Sequence, residues 1–499
     1  MPNLDHYQQA FVAAVADPDG PNLIANALAG SGKSTVVEAS VTALGPQAST
    51  LTLAFNKSTA DAMQIRLERA GLMRAKAQTF NSLGHRAVCQ ALGQIKIDRF
   101  KSGTIMRELG IHFPDRQDQM TVEKLVGLAK SGTAKPSEIS WSQLSTHMGF
   151  AVGDADMEGQ IYAAADTVFK HSIDMAINRG IIDFNDQLYL PVLKSWAMPR
   201  TPFVFVDESQ DLSAVQIAML GRITGRRLFC VGDEHQAIYG FRGASSAAIQ
   251  QLSVGFSLAS YPLNICYRCD TAVISHVQRL VPEIEARPGA GEGSVTEMDA
   301  REDKLKMSDF REDDMVICRT NAPLFSIAAS FIDKRRAFQI KGDGISEALN
   351  GYIYRILSKH GLTRANDPKV DAFMPMAREW FQKEEQRYEK VGQFGLADAL
   401  ADYASILENL ARVEGVKRLG DIYKVLDQIL AGKTGPTLSS VHRAKGLEAP
   451  RVFILEPHLM PSPRAKEQWQ KQQERNLMYV AETRAMHELV YLPKECVEV

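Results

Sequence analysis

ALAGSGKST, residues 27–35, is the stretch on which the reading of this chain turns. Residues 22–24 before it carry a strand signal and residues 36–44 after it read as a helix, so the loop joins strand to helix. Gly30 and Gly32 let successive backbone N–H groups turn toward one anion and let its oxygens approach closely. Ala29, Ser31 and Thr35 complete such a cradle, Lys33 reaches the β and γ phosphates of a nucleotide, and the Ser34 hydroxyl is placed to hold Mg²⁺. The first glycine of the general GxxxxGK[ST] pattern is Ala27 here.

A phosphate loop that hydrolyses its ligand needs carboxylates at the end of a buried strand. Residues 203–206 (FVFV) supply that strand, and Asp207 and Glu208 follow at its carboxyl end, where open α/β sheets bind ligands. Asp207 is expected to hold the metal and Glu208 to orient or deprotonate the attacking water. A second apolar run, 227–231, ends in GDEHQ and offers Gln236 to the same edge.

The whole chain sets few other limits. Its 499 residues are enough for three or four domains, and 45% hydrophobic content fits a multidomain globular enzyme. A formal net charge of −2 provides no global basic field, so any nucleic-acid binding must come from a local groove and from stacking. No apolar stretch approaches the roughly 18 residues of a membrane span, and six scattered cysteines are too few for a disulfide framework. A soluble protein of a reducing cytoplasm, or of a nucleus, is the expectation. Cys266 and Cys269 form a CxxC with no second pair at metal-ligand spacing, so a structural zinc is not expected there.

Further motifs follow in order: VDESQD at 206–211, VGDEHQAIYGFRGA at 231–244, LNICYRC at 263–269, SSVHRAKGLE at 439–448 and NLMYVAETRA at 476–485. Taken with the phosphate loop, their order and spacing resemble the UvrD/Rep-type superfamily 1 helicases over almost the full length, and the motor half of the F-box DNA helicases as well. The resemblance implies an α/β fold of two RecA-like P-loop NTPase motor domains that sandwich ATP, with two mainly helical inserted subdomains. It implies that Lys33, Asp207, Glu208, Gln236, Arg268 and Arg484 are catalytic, the two arginines meeting charge on the transferring phosphoryl group. It also places Gln8 against the adenine edge, Tyr267 on the base and Glu448 on the ribose, roles that suit an amide, an aromatic ring and a carboxylate.

For the nucleic-acid strand, the resemblance points to Phe55 and Asn56 after a strand at 51–53, and to Thr79, Phe80 and Asn81. Tyr239, Phe241 and Arg242 form an aromatic and basic cluster just after Gln236. His442 belongs to the same set, although it and Lys445 could face either the strand or the domain interface. A translocase favours stacking platforms and phosphate contacts over base-edge reading, so sequence preference should be weak.

The motifs divide the chain into a first motor domain at 1–92 and 183–260 and a second at 261–345 and 435–499. Helical insertions occupy 93–182 and 346–434, the second being short for the family and including helical patterns at 377–391 and 395–412. No F-box-like extension is expected before residue 1, and no nuclease domain is expected after the last motif. The expected activity is an ATP-dependent, Mg²⁺-using DNA helicase or single-strand translocase, a monomer moving 3′ to 5′ on single-stranded and on tailed or forked duplex DNA. Phosphate tracking does not separate DNA from RNA. Two other readings are a motor that strips proteins from DNA with little unwinding and a nucleic-acid clamp with a degenerate ATPase.

Overall fold

Six short runs rich in apolar residues pair side by side in one parallel sheet: β1 (Leu23–Ala27), β2 (Thr50–Ala54), β3 (Ala75–Thr79), β4 (Thr201–Val206), β5 (Thr224–Gly232) and β6 (Ala259–Leu263). Their order across the sheet is β3-β2-β4-β5-β1-β6. The computed structural model describes residues 3–113, 116–147, 155–238, 248–342, 344–390, 394–465 and 468–498. β1 and the helix Lys33–Ala43 after it bracket the phosphate loop, as the pattern around residue 30 predicts.

Alternation along each strand explains why both faces are covered by helices. Phe205, Phe229 and Val231 join a cluster with Phe11, Val15, Val36 and Val37 on one face, while Val204, Val206, Leu228 and Cys230 join Leu51, Leu53, Met219 and Leu220 on the other. The crossover from β3 to β4 holds the first insertion, whose helices Lys101–Glu108, Arg116–Ser131, Trp141–His147 and Ala155–Arg179 have a core of their own. At its neck, the two-residue strands Lys96–Ile97 and Ile181–Ile182 pair in parallel.

A second six-stranded parallel sheet is built from β7 (Ser294–Glu297), β8 (Met315–Cys318), β9 (Gln339–Lys341), β10 (Thr437–Ser440), β11 (Ala449–Leu455) and β12 (Ala485–Leu492), ordered β7-β12-β11-β8-β10-β9. Helices Ile345–Lys359, Val370–Lys390, Phe394–Ala411 and Leu419–Ala431 fill the crossover from β9 to β10. Unlike the first insertion, they do not form a separate core: Phe373, Phe381, Ile422 and Leu426 belong to one cluster with Phe331, Leu438 and Phe453.

The chain divides into units Met1–Asn264 and Ile265–Val499. The boundary expected at 260/261 therefore moves, because it would cut β6, in which Tyr261 pairs with Ala25 of β1. Among the described residues, no helix is long and apolar enough to cross a membrane.

Arg227 shows how the first unit is fastened. Its guanidinium, 4% exposed, lies over the Phe229 ring and donates to the carbonyls of Ala14 (2.9 Å), Val15 (2.9 Å), Asp17 (2.6 Å) and Pro21 (2.9 Å). It thereby holds the carboxyl end of helix His6–Ala16 against β5, where a cation is favoured. Arg227→Met should destabilise the protein by about 2–4 kcal/mol, because four carbonyls lose their donor. Urea denaturation would measure it, and Arg227→Lys should not restore stability, since an ammonium lacks the fork.

Candidate functional site

Parallel strands leave a sheet at one edge, so the loops after β1, β4 and β5 emerge side by side. In the loop after β1, Gly30 and Gly32 adopt φ of +70° and +79°, in the left-handed region that favours glycine. Gly32 is the N-cap of helix Lys33–Ala43 and supplies no side-chain hydrogen bond, leaving the first-turn N–H groups to an external acceptor. The Ser31 hydroxyl, buried in the same loop, has no hydrogen-bond partner among the described residues. An oxygen-rich anion fits this cradle.

Lys33 lies 3.5 Å from Glu208 Oε2. Burial draws its pKa down, but the carboxylates of Glu208, Asp233, Asp207 and Asp211 outweigh that and hold it above the usual lysine value. Asp207 continues the β4 ladder, its N–H donating to the Leu53 carbonyl (3.0 Å), and its Oδ1 accepts from the Glu208 N–H (2.9 Å). Burial and then the Glu208 carboxylate push Asp207 up to about 7, with Lys33 pulling the other way. Among the described residues four acids act on the Lys33 ammonium. The hard oxygens of Asp207 and Ser34 suit Mg²⁺. Among the described residues, no group of three His, Cys, Asp or Glu side chains could hold a metal by itself, so nucleotide phosphates would have to complete the shell.

Glu208 has φ of +53° and ψ of +44°, a left-handed conformation that costs a non-glycine residue roughly 1–2 kcal/mol. Gln210, absent from the sequence-based candidates although it lies inside the VDESQD motif, bridges two strand ends: its Nε2 donates to Glu208 Oε2 and its Oε1 accepts from the Asp233 N–H (2.9 Å). The ends approach so closely that a Cβ on Gly232 would lie 2.4 Å from Ser209 Oγ. Gln236 is 6% exposed and its Nε2 donates to Asp233 Oδ2 (2.6 Å). Gln8 reaches the loop from helix His6–Ala16: its Nε2 donates to the Ser31 carbonyl (3.0 Å), while its Oε1 accepts from the Asp5 N–H (3.3 Å) in a capping box. In this arrangement Gln8 clamps the phosphate loop.

The expected strand contacts fall at the same edge of the first sheet, after β2 and β3. Phe55 is 47% exposed. Asn56 caps helix Lys57–Arg69, Oδ1 accepting from the Thr59 N–H (2.8 Å), and Thr79 caps helix Phe80–Leu92, Oγ1 accepting from the Ser82 N–H (3.1 Å). Phe80 requires correction: it is 2% exposed and packs with Leu51, Leu53 and Leu83, so its ring cannot stack on a base. Asn81 donates to the carbonyl of Phe184 (2.8 Å), an exposed aromatic missed from sequence because only the fold brings residue 184 to residue 81. Tyr239, Phe241 and Arg242 lie outside the described residues.

In the second unit, Arg268 pairs with Glu448 (2.6 Å) and donates to the Thr483 carbonyl (3.0 Å), and Tyr267 beside it is exposed. Cys269 on the other flank also meets the Thr483 carbonyl through Sγ (3.8 Å), while its N–H donates to Cys266 Sγ (3.4 Å). Arg484 is 1% exposed: Nε donates to the Val480 carbonyl (2.8 Å), Nη1 to the Leu447 carbonyl (3.0 Å) and Nη2 to Thr483 Oγ1 (3.1 Å). It braces the end of helix Gln468–Glu482, where a phosphate-reaching side chain was expected. His442 sits on the short helix Val441–Ala444 after β10, at the opposite end of the sheet from Glu448 and Arg484, which precede β11 and β12.

Residues 7–257 match the UvrD/REP helicase N-terminal domain, and residues 364–492 match the UvrD-like helicase C-terminal domain. F-box DNA helicase protein 1 of Schizosaccharomyces pombe is 24% identical over 329 residues, covering 60% of this chain and 35% of its own length. F-box DNA helicase 1 of Gallus gallus is 25% identical over 320 residues (59% and 29%), and DNA helicase II of Haemophilus influenzae is 26% identical over 132 residues (24% and 18%). The chain thus spans no more than 35% of the length of these relatives.

Gly32→Ala forces a Cβ into the left-handed region and to 3.0 Å from Gln8 Nε2. A penalty of about 1–2 kcal/mol should weaken nucleotide binding by about tenfold. Titration with a fluorescent ATP analogue checks this, and undiminished affinity would remove the loop from the site.

Proposed function

The chain belongs to the UvrD/REP helicase family, and on that premise we propose that it is an ATP-dependent DNA helicase or single-strand translocase moving 3′ to 5′. The observation that carries this reading is the gathering of Lys33, Asp207, Glu208 and Gln236 at the ends of neighbouring strands β1, β4 and β5. The uncapped loop of residues 29–35 takes the ATP phosphates, with Lys33 on the β and γ groups. Mg²⁺, when held by Ser34 and Asp207, neutralises charge developing on the phosphoryl oxygens.

In the resting arrangement Lys33 faces Glu208. An arriving γ phosphate carries more charge than one carboxylate and competes for Lys33, which releases Glu208 to orient and deprotonate water. Gln210 and Asp233 then keep Glu208 and Gln236 in register. Arg268, paired with Glu448 beforehand, and Arg484, which braces its own loop, are assigned to the phosphoryl charge. Tyr267 and Gln8 are assigned to the base and Glu448 to the ribose.

Phe55 and Asn81 are assigned to single-stranded DNA with Asn56, Thr79, His442, Tyr239, Phe241 and Arg242. Tailed or forked duplexes are the proposed substrates, acted on by a monomer.

Glu208→Gln should lower DNA-stimulated ATP turnover by at least about 100-fold while ATP binding survives, because a neutral amide keeps the shape and loses the base. Steady-state ATPase and nucleotide titration on the same preparation measure both; undiminished turnover removes Glu208 from the mechanism. Displacement of a labelled strand from 3′-tailed but not 5′-tailed duplexes is the expected polarity, and displacement only from the 5′ tail overturns it.

A further inference from the structure

Lys101 and Lys130, on two helices of the first insertion, are 1% and 0% exposed. A buried ammonium is costly unless matched, and here two cations meet two anions. Lys101 Nζ donates to Asp186 Oδ2 (2.6 Å) and to the Ser172 carbonyl (2.6 Å). Lys130 Nζ donates to Asp183 Oδ2 (2.6 Å) and Ser172 Oγ (2.6 Å), and lies 2.7 Å from Asp186 Oδ1. The cluster is neutral and ties three insertion helices to the segment at which the chain returns to the first sheet.

That segment is a tight turn. Asp183 and Asp186 each accept the other's backbone N–H, at 2.8 and 2.9 Å, with Phe184 and Asn185 between them. Its other side meets the strand-contact edge: Asn81 Nδ2 donates to the Phe184 carbonyl (2.8 Å) and to Gln187 Oε1 (3.0 Å), and Gln187 Nε2 lies 3.2 Å from His85 Nδ1. Helices Phe80–Leu92 and Asp186–Leu193 touch backbone to backbone, since a Cβ on Gly84 would fall 2.0 Å from the Gln187 carbonyl oxygen.

We infer that Lys101 and Lys130 are positioning residues for single-strand binding: through Asp183 and Asp186 they fix the turn that orients Asn81, so the first insertion sets the geometry of the strand-contact edge. This rests on the proposed DNA-motor reading for the identity of the ligand. The cluster uses directional bonds where an apolar contact would suffice for cohesion, and buried ion clusters serve register better than stability. Contact through Gly84 transmits that register without slack.

The test uses Lys130→Met and, as a second variant that leaves Lys130 beside both carboxylates, Lys101→Met. Basal ATPase without DNA should stay within about twofold of the unaltered protein, while the single-stranded DNA concentration for half-maximal stimulation rises about tenfold. Hydrogen exchange should quicken in residues 79–85 and 183–188 and stay unchanged in residues 28–36. Gly84→Ala, which strikes the link from the other side, should raise the same DNA concentration without quickening exchange in residues 101–131. Wild-type half-saturation in both lysine variants, or quickened exchange confined to the insertion helices, overturns the inference. If the unaltered protein shows no stimulation by DNA, the motor reading fails, and the exchange pattern still decides whether the cluster positions residues 79–85. Should one lysine variant not fold, the other carries the test.

Discussion

Parallel pairing is the constraint on which the rest depends. Because all strands of the first sheet run one way, every loop that follows a strand leaves from one edge, and chemistry scattered from residue 29 to residue 236 is gathered there. The central trio β4, β5 and β1 brings the acids, the glutamine and the phosphate loop side by side, while β2 and β3 put Phe55 and Asn81 further along the same edge. The residues proposed for nucleotide and those proposed for a strand therefore share one support. Gly232 and Gly84 mark where that support is tightest, one between strand ends and one between helices, and neither position has room for a Cβ.

Electrostatics at that edge is dominated by the acids gathered near Lys33. Asp207 is driven toward neutrality by burial and by Glu208, with Lys33 pulling the other way. A divalent cation held by Asp207 and Ser34 would favour Asp207 as a carboxylate, and a phosphate in the loop would draw on Lys33. Glu208 is held in a left-handed backbone conformation beside Lys33.

Local chemistry was legible in the sequence, and burial was not. The phosphate loop and the acids after 203–206 belong to local strand-and-loop patterns, so composition and spacing reveal them, whereas the helix caps formed by Asn56 and Thr79, expected as strand contacts, came only with the structure. Phe80 and Arg484 sit in motifs of the right kind, yet whether a ring or a guanidinium faces outward depends on packing by distant segments: Leu51 and Leu53 beside Phe80, Leu447 beside Arg484. Gln210 and Phe184 were overlooked for the converse reason, since their partners Asp233 and Asn81 are more than twenty residues away. The boundary near 261 failed because β6 carries no motif and gains its place only by pairing with β1.

The two insertions, similar in helical pattern, are attached by different physics. The second shares one apolar core with its sheet, and Asp402 adds an acceptor for the Asn321 and Ala322 N–H groups. The first keeps a core of its own, reaching helices Phe80–Leu92 and Asp186–Leu193 through Val88, Tyr189 and Leu190, and adds the lysine–aspartate cluster at the junction. A cluster of four charges tolerates no slip, because moving one ammonium strands a buried carboxylate. Cohesion and register are thus separable in this chain: apolar contacts supply the first wherever a helix meets a sheet. At the junction that abuts Asn81 the lysine–aspartate cluster adds the second.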